Sequence, residues 1–207
     1  MRPLPRLHAF TTGGLLAAPE FGVRAAAIAS GGSAVALHAR DRGASGAVLS
    51  AAALRIAALA RPPEAGLFVS GRPDIAAAVG AHGVQLSGND LAPADARRVM
   101  GAGWIGRSVH SSHEAELAQA EGADFLVVGN VFETDSHPGQ PAGGLSLITE
   151  TVAFGLPVIA IGGITAERAW QARDAGAYGI AAIRALWDAP DPAAATLAML
   201  RPWMTGT

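Results

Sequence analysis

The chain has 207 residues, half of them hydrophobic and 15% charged, which is enough apolar material for one sizeable core. A net charge of −2 gives no electrostatic case for nucleic acid or an anionic membrane as a partner. The lack of cysteine excludes disulfides, thiolate metal sites and a cysteine nucleophile; all fifteen basic residues are arginine, so no lysine is present for Schiff-base chemistry.

Along the chain, short apolar runs alternate with alanine-rich stretches of helical spacing. Strands are expected at RLHAFTT from Arg6, SAVALHAR from Ser33, GLFVS from Gly66 and HGVQLS from His82. Four more are expected at GWIGRSVH from Gly103, DFLVVGN from Asp124, PVIAIGG from Pro157 and YGIAAI from Tyr178. Each is nearly continuously apolar, the pattern of strands covered on both faces. Between them, GASGAVLSAAALRIAALA sets Val48, Leu49, Ala52, Ile56 and Leu59 along one helical stripe. SHEAELAQAEG opens on Ser112 as a cap and stops at Gly122; TAERAWQARDAG does the same with Thr165 and Gly176. Pro-Asp and Pro-Ala pairs open several other helices.

Eight strand–helix pairs without a linker predict a single (β/α)8 TIM barrel over residues 1–207, with a doubly wound open sheet as the alternative. The opening MRPLPRLHAFTT lacks the apolar core of a secretory signal, and no apolar run reaches membrane-spanning length. A soluble cytoplasmic protein is expected. Apolar barrel exteriors often pair, so a homo-oligomer stays an open expectation.

In a barrel the chemistry sits where strands end. The strand ends supply Thr11, then His38, Arg40 and Arg42, then Ser70 and Arg72, then Gln85 and Asp90, then Ser108 and His110. FLVVGNVFETDSHPG follows, an apolar strand that turns at once into a loop crowded with Asn130, Glu133, Thr134, Asp135, Ser136 and His137. VIAIGGIT leads through Gly162 and Gly163 into a helix capped by Thr165, where glycine backbone and unpaired amides suit a phosphate. Ala182 and Ile183 on the last strand and loop, and Gly143 and Gly144 after the polar loop, would add backbone donors. Arg40 and Arg72 either clamp a phosphate or carboxylate or pair with Asp41 or Asp74. Ser108 reads as a hydrogen-bonding group. His110 and His113 are not expected to hold a metal, because no third ligand follows at useful spacing.

GRSVHS at Gly106–Ser111, GNVFETD at Gly129–Asp135 and VIAIGGIT resemble the thiamine phosphate synthase superfamily, and most of all its TenI-like thiazole tautomerase branch. HARDR at His38–Arg42, SGRPDIA at Ser70–Ala76 and GVQL at Gly83–Leu86 fall in the expected order. The resemblance implies a (β/α)8 barrel in thiamine biosynthesis that binds a small thiazole phosphate or thiamine phosphate. Synthases of the family join a pyrimidine diphosphate to a thiazole phosphate with Mg²⁺ assistance. Their Gln-x-Arg-x-Lys motif reads His38, Arg40 and Arg42 here, and their Asn-Asp-Arg reads Ser70, Gly71 and Arg72. One of two metal-binding aspartates is therefore replaced by Gly71, while the other position is kept as Asp90, the metal residue if the chain is a synthase.

Tautomerases of the family aromatise a carboxylated thiazole phosphate without a cofactor, using a histidine where this chain has Asn130. An amide cannot shuttle a proton near neutrality. His137 and His38 are the imidazoles expected to replace it, with Glu133 behind them. The expectation is a thiazole tautomerase with altered acid/base residues. Thiamine phosphate synthase itself, and a non-catalytic phosphate-ligand binder, are the alternatives.

Overall fold

Strands that are apolar at every position need cover on both faces, and a closed ring supplies it. The computed structural model describes residues 2–61, 64–134 and 141–204. Eight parallel strands close into one barrel in chain order. They are β1 (Leu7–Phe10), β2 (Val35–Ala39), β3 (Gly66–Ser70), β4 (Gly83–Leu86), β5 (Trp104–Val109), β6 (Phe125–Val128), β7 (Val158–Ile161) and β8 (Gly179–Ala182). β8 returns to β1 with Leu7 opposite Ile180, so no strand edge is left open. All eight strands fall in the runs read from sequence.

Helices coat the outside. Two follow β1, α1 (Gly13–Ala17) and α2 (Phe21–Ala29). Then come α3 (Gly46–Ala60), α4 (Pro73–Ala78), α5 (Pro93–Met100), α6 (Ser112–Ala120), α7 (Gly144–Val152) and α8 (Ala166–Asp174). α9 (Arg184–Trp187) and α10 (Pro192–Met204) follow β8. Pro73, Pro93 and Pro192 open their helices, where a missing amide hydrogen costs nothing. No helix among the described residues is long and apolar enough to cross a membrane.

Two details differ from the sequence reading. The cap of α6 is Ser111, whose side chain accepts from the Glu114 amide, while Ser112 donates to Glu150 at 2.6 Å. On α3 the buried stripe is Leu49, Ala53, Ile56 and Ala60, whereas Val48 is 56% exposed. Ala52 and Leu59 are only half-buried. Alanines let the helix lie close on β2 and β3, so they mark the contact face; hydrophobicity alone favours the larger side chains beside it.

Alternation along the strands divides the core in two. Leu7, Ala9, Leu37, Val69, Leu126 and Ile180 face the helices. Leu4, Phe10, Phe68, Phe125, Val127 and Ile159 fill the barrel interior. Two histidines complete this inner plug, both fully buried: His8 and His38, with His8 Nδ1 2.7 Å from His38 Nε2. His8 Nε2 lies 3.1 Å from the Pro5 carbonyl, which can only accept, so His8 donates there and His38 Nε2–H donates to His8 Nδ1. His38 is stacked between Phe10, 3.9 Å between ring centres, and Phe68, 5.0 Å. Burial lowers His8 from 6.5 to about 4, despite its bond to Pro5. Burial, then the charges of His8 and Arg40, push His38 well below its ordinary value. The plug is neutral.

Both imidazoles are harder to protonate folded than unfolded. Acid therefore favours the unfolded chain: their stabilisation is complete above pH 6.5 and is lost as pH falls from 6.5 towards 4. His8 alone should cost about 2 kcal/mol at pH 5. Urea midpoints at pH 7 and pH 5 check this, and an equally steep acid loss in His8→Leu would refute it. At Gly106 an added Cβ would lie 2.2 Å from Phe125 Cζ. Gly106→Ala should cost about 1–3 kcal/mol through overpacking, with Phe125→Leu in the same chain restoring part of the thermal midpoint.

Candidate active site

Above the plug the inward-facing side chains change character. Ser70 at the end of β3 pairs in register with Gln85 on β4, and Ser108 lies next to them on β5. Gln85 donates to Ser108 Oγ at 2.5 Å and to the Leu86 carbonyl at 2.8 Å. Asn130, just past β6, closes the arc. These four neutral side chains line a cavity of about 1040 Å³ at the C-terminal end of the barrel. Ser70 Oγ and Asn130 Nδ2 are both buried without a hydrogen-bond partner. Buried polar atoms normally have a partner, and both residues belong to the cavity wall.

One rim of the cavity is backbone. Gly162 and Gly163 follow β7 and lead to α8, whose Thr165 cap accepts from the Arg168 amide at 3.3 Å. At Gly163, φ is +63° and an added Cβ would stand 2.5 Å from the Glu133 carbonyl oxygen, so only glycine fits. Among the described residues, neither glycine amide donates to a backbone carbonyl. Ala182 and Ile183 line the cavity beside them. Gly143 and Gly144, expected as further donors, do not reach it. Their amides are spent on the Asn130 and Val131 carbonyls, at 2.9 and 3.0 Å, which shape the loop instead.

The facing rim is cationic. Arg40 and Arg42 follow β2, and Arg72 precedes α4. All three line the cavity. Arg72 holds Asp74 with two bonds of 2.8 and 2.5 Å, the ion-pair alternative read from sequence. That contact holds the Asp74 carboxyl below its usual range. Arg40 and Arg42 make no ion pair among the described residues. Burial, then the neighbouring charge of Arg42, lower the Arg40 guanidinium, with Asp41 opposing. The Asp41 carboxylate accepts from the Gly43 amide at 3.0 Å and packs against Gly13. Thr11 ties the ends of β1 and β2, its hydroxyl accepting from the Arg40 amide at 2.9 Å.

Asp90 also lines the cavity, with Oδ2 taken by the Ser87 amide at 2.6 Å and the Ser87 hydroxyl at 2.8 Å. A Cβ at Gly71 would stand 3.0 Å from Asp90 Oδ1, and Gly71 has φ of +73°. Glu133, Thr134 and His110 are on the wall as well. His110 Nδ1 is bonded to the Gly129 carbonyl, and His113 is exposed, 3.9 Å from Glu116. Among the described residues no three histidine or acidic side chains are grouped to hold a metal.

Of the imidazoles expected to replace a histidine at position 130, His38 lies beneath the cavity floor, covered by Phe10, and does not line it. The alternation that puts Ser70 and Gln85 at the top of the barrel puts His38 one layer lower. His137, with Asp135 and Ser136, lies outside the described residues. Arg168 went unread in the sequence. It lines the cavity, crosses the Phe132 ring at 4.7 Å and donates to the Gly163 carbonyl at 2.7 Å, bracing the glycine turn. Its position three residues past the Thr165 cap is the only sequence signal for it.

Residues 9–186 match the family described as thiamine monophosphate synthase. The chain is 44% identical over 176 residues to the thiamine-phosphate synthase of Thermus thermophilus, covering 84% of both chains. It is 39% identical over 195 residues to that of Chromobacterium violaceum, covering 93% of both. The thiamine phosphate pyrophosphorylase structure from Pyrococcus furiosus superposes with a TM-score of 0.80 at 32% identity, over 95% of this chain and 94% of that one. The barrel, the order of its strand-end motifs and these relatives agree: the chain belongs to the thiamine monophosphate synthase family.

Proposed function

We propose that the protein is a thiamine phosphate synthase, joining a pyrimidine diphosphate to a thiazole phosphate and releasing pyrophosphate. The observation that carries this reading is a floor of neutral side chains set between two rims that attract anions. The bond from carbon to the diphosphate oxygen breaks and its electron pair leaves with pyrophosphate. The thiazole ring nitrogen supplies its lone pair to the new C–N bond, and no proton changes hands. Ser70, Gln85, Ser108 and Asn130 can orient two heterocycles by hydrogen bonds. The free amides of Gly162 and Gly163 and the start of α8 suit the thiazole phosphate. The cationic rim suits the diphosphate.

The tautomerase reading needs a group that moves a proton to or from a ring carbon. Asn130 has no such chemistry, and His38 is sealed in the plug. The names of the relatives at 39–44% identity also favour the synthase over the isomerase.

The family resemblance implies Mg²⁺ beside the diphosphate, where it would supply charge neutralisation. A hard cation there calls for carboxylate oxygens. The two positions in question carry Gly71 and Asp90, and one oxygen of Asp90 is already committed to Ser87. These residues do not fit a two-carboxylate Mg²⁺ site.

Incubation with both substrates and Mg²⁺ should yield thiamine phosphate and equimolar pyrophosphate. Incubation with the carboxylated thiazole phosphate should give no aromatic product above the blank. The opposite pair of results would return the assignment to an isomerase. Gly163→Ala should weaken thiazole phosphate binding at least tenfold by calorimetry, because the turn cannot keep its shape against Glu133. An unchanged affinity would move the phosphate elsewhere in the cavity.

A further inference from the structure

The diphosphate rim has an imbalance. Asp74 neutralises Arg72, and Asp41 is turned to the backbone around Gly13 and Gly43. Arg40 and Arg42 line one wall without an ion-pairing carboxylate among the described residues. Two like charges held together at a partly buried site repel, and an anion between them removes that cost. The depressed Arg40 guanidinium, with Arg42 among its causes, is in keeping with this. At the neighbouring ends of β3 and β4, Asp90 serves as a brace for the turn at Ser87, and Gly71 has no side chain to join it. The left-handed backbone at Gly71 also disfavours most side chains that could.

We propose that this chain holds the diphosphate without a metal ion: Gly71 and Asp90 do not form a paired-carboxylate site, and the guanidinium charge of Arg40 and Arg42 serves in its place. This rests on the synthase reading. Planar guanidinium groups match phosphate oxygens with paired N–H donors and stay charged throughout the reaction. As the carbon–oxygen bond breaks, the electron pair gathers on the departing pyrophosphate, and the two cations stabilise that charge where it develops. No proton donor is needed on the leaving group.

The test uses the full chain and inorganic pyrophosphate, by calorimetry, in chelator and in Mg²⁺. Saturable binding in chelator is expected, weakened at least tenfold in Arg42→Gln and in Arg40→Gln with their thermal midpoints kept. Binding that appears only with Mg²⁺, or that ignores both substitutions, overturns the proposal. A thiamine phosphate assay in the same two buffers separates this inference from the reading beneath it. Product in chelator supports both. Product only with Mg²⁺ keeps the synthase and removes the arginine grip. Product in neither buffer, with pyrophosphate still bound in chelator, removes the synthase and leaves the grip.

Discussion

Closing eight parallel strands into a ring forces every strand residue into one of two environments, and the narrow interior leaves little room for either water or error. In this protein the interior is filled by Phe10, Phe68, Phe125 and two neutral histidines in contact with each other. The aromatic rings need small partners on the neighbouring strand: a Cβ at Gly106 would enter the Phe125 ring, and one at Gly83 would meet Phe68. His8 and His38 are tolerated because one hydrogen bond joins them and another ends on Pro5, so most of their polar capacity is met without charge. This plug of buried rings forms the bottom of the cavity.

Chemistry begins one layer above it, and the three parts of the cavity wall get their properties from different sources. The floor is made of neutral hydrogen-bonding side chains because it continues the inward face of β3 to β6. One rim works through backbone amides, made available by a glycine turn that packs against the Asn130–Glu133 loop. The other works through arginine charge. A site with neutral reading groups between two anion-attracting ends is better suited to holding two phosphorylated heterocycles in line than to moving a proton. The same physical division explains why losing a histidine at position 130 and an aspartate at position 71 has unequal consequences. The first leaves an amide that cannot move a proton near neutrality. The second leaves a position without a carboxylate, next to a rim where guanidinium groups can meet an anion.

Much of this protein was determined by sequence alone. Short, nearly continuous apolar runs, capped alanine-rich segments and the absence of a linker specify the eight strand–helix units, because those signals are local. Gly162, Gly163 and Thr165 could be read as a strand-to-helix anion turn for the same reason. The tertiary structure decided what depends on direction and on distant partners. Strand register sent His38 down into the plug beside His8, thirty residues away in the chain, although it lies on the strand that Arg40 follows. Loop packing spent the amides of Gly143 and Gly144 on the Asn130 and Val131 carbonyls, while those of Gly162 and Gly163 have no such partner among the described residues. The docking angle of α3 buried alanines where hydrophobicity pointed to Val48 and Leu59. Whether an arginine is paired, as Arg72 is, or has no ion-pairing carboxylate among the described residues, as with Arg40, is a property of neighbours in space. Composition and spacing carry no information about that.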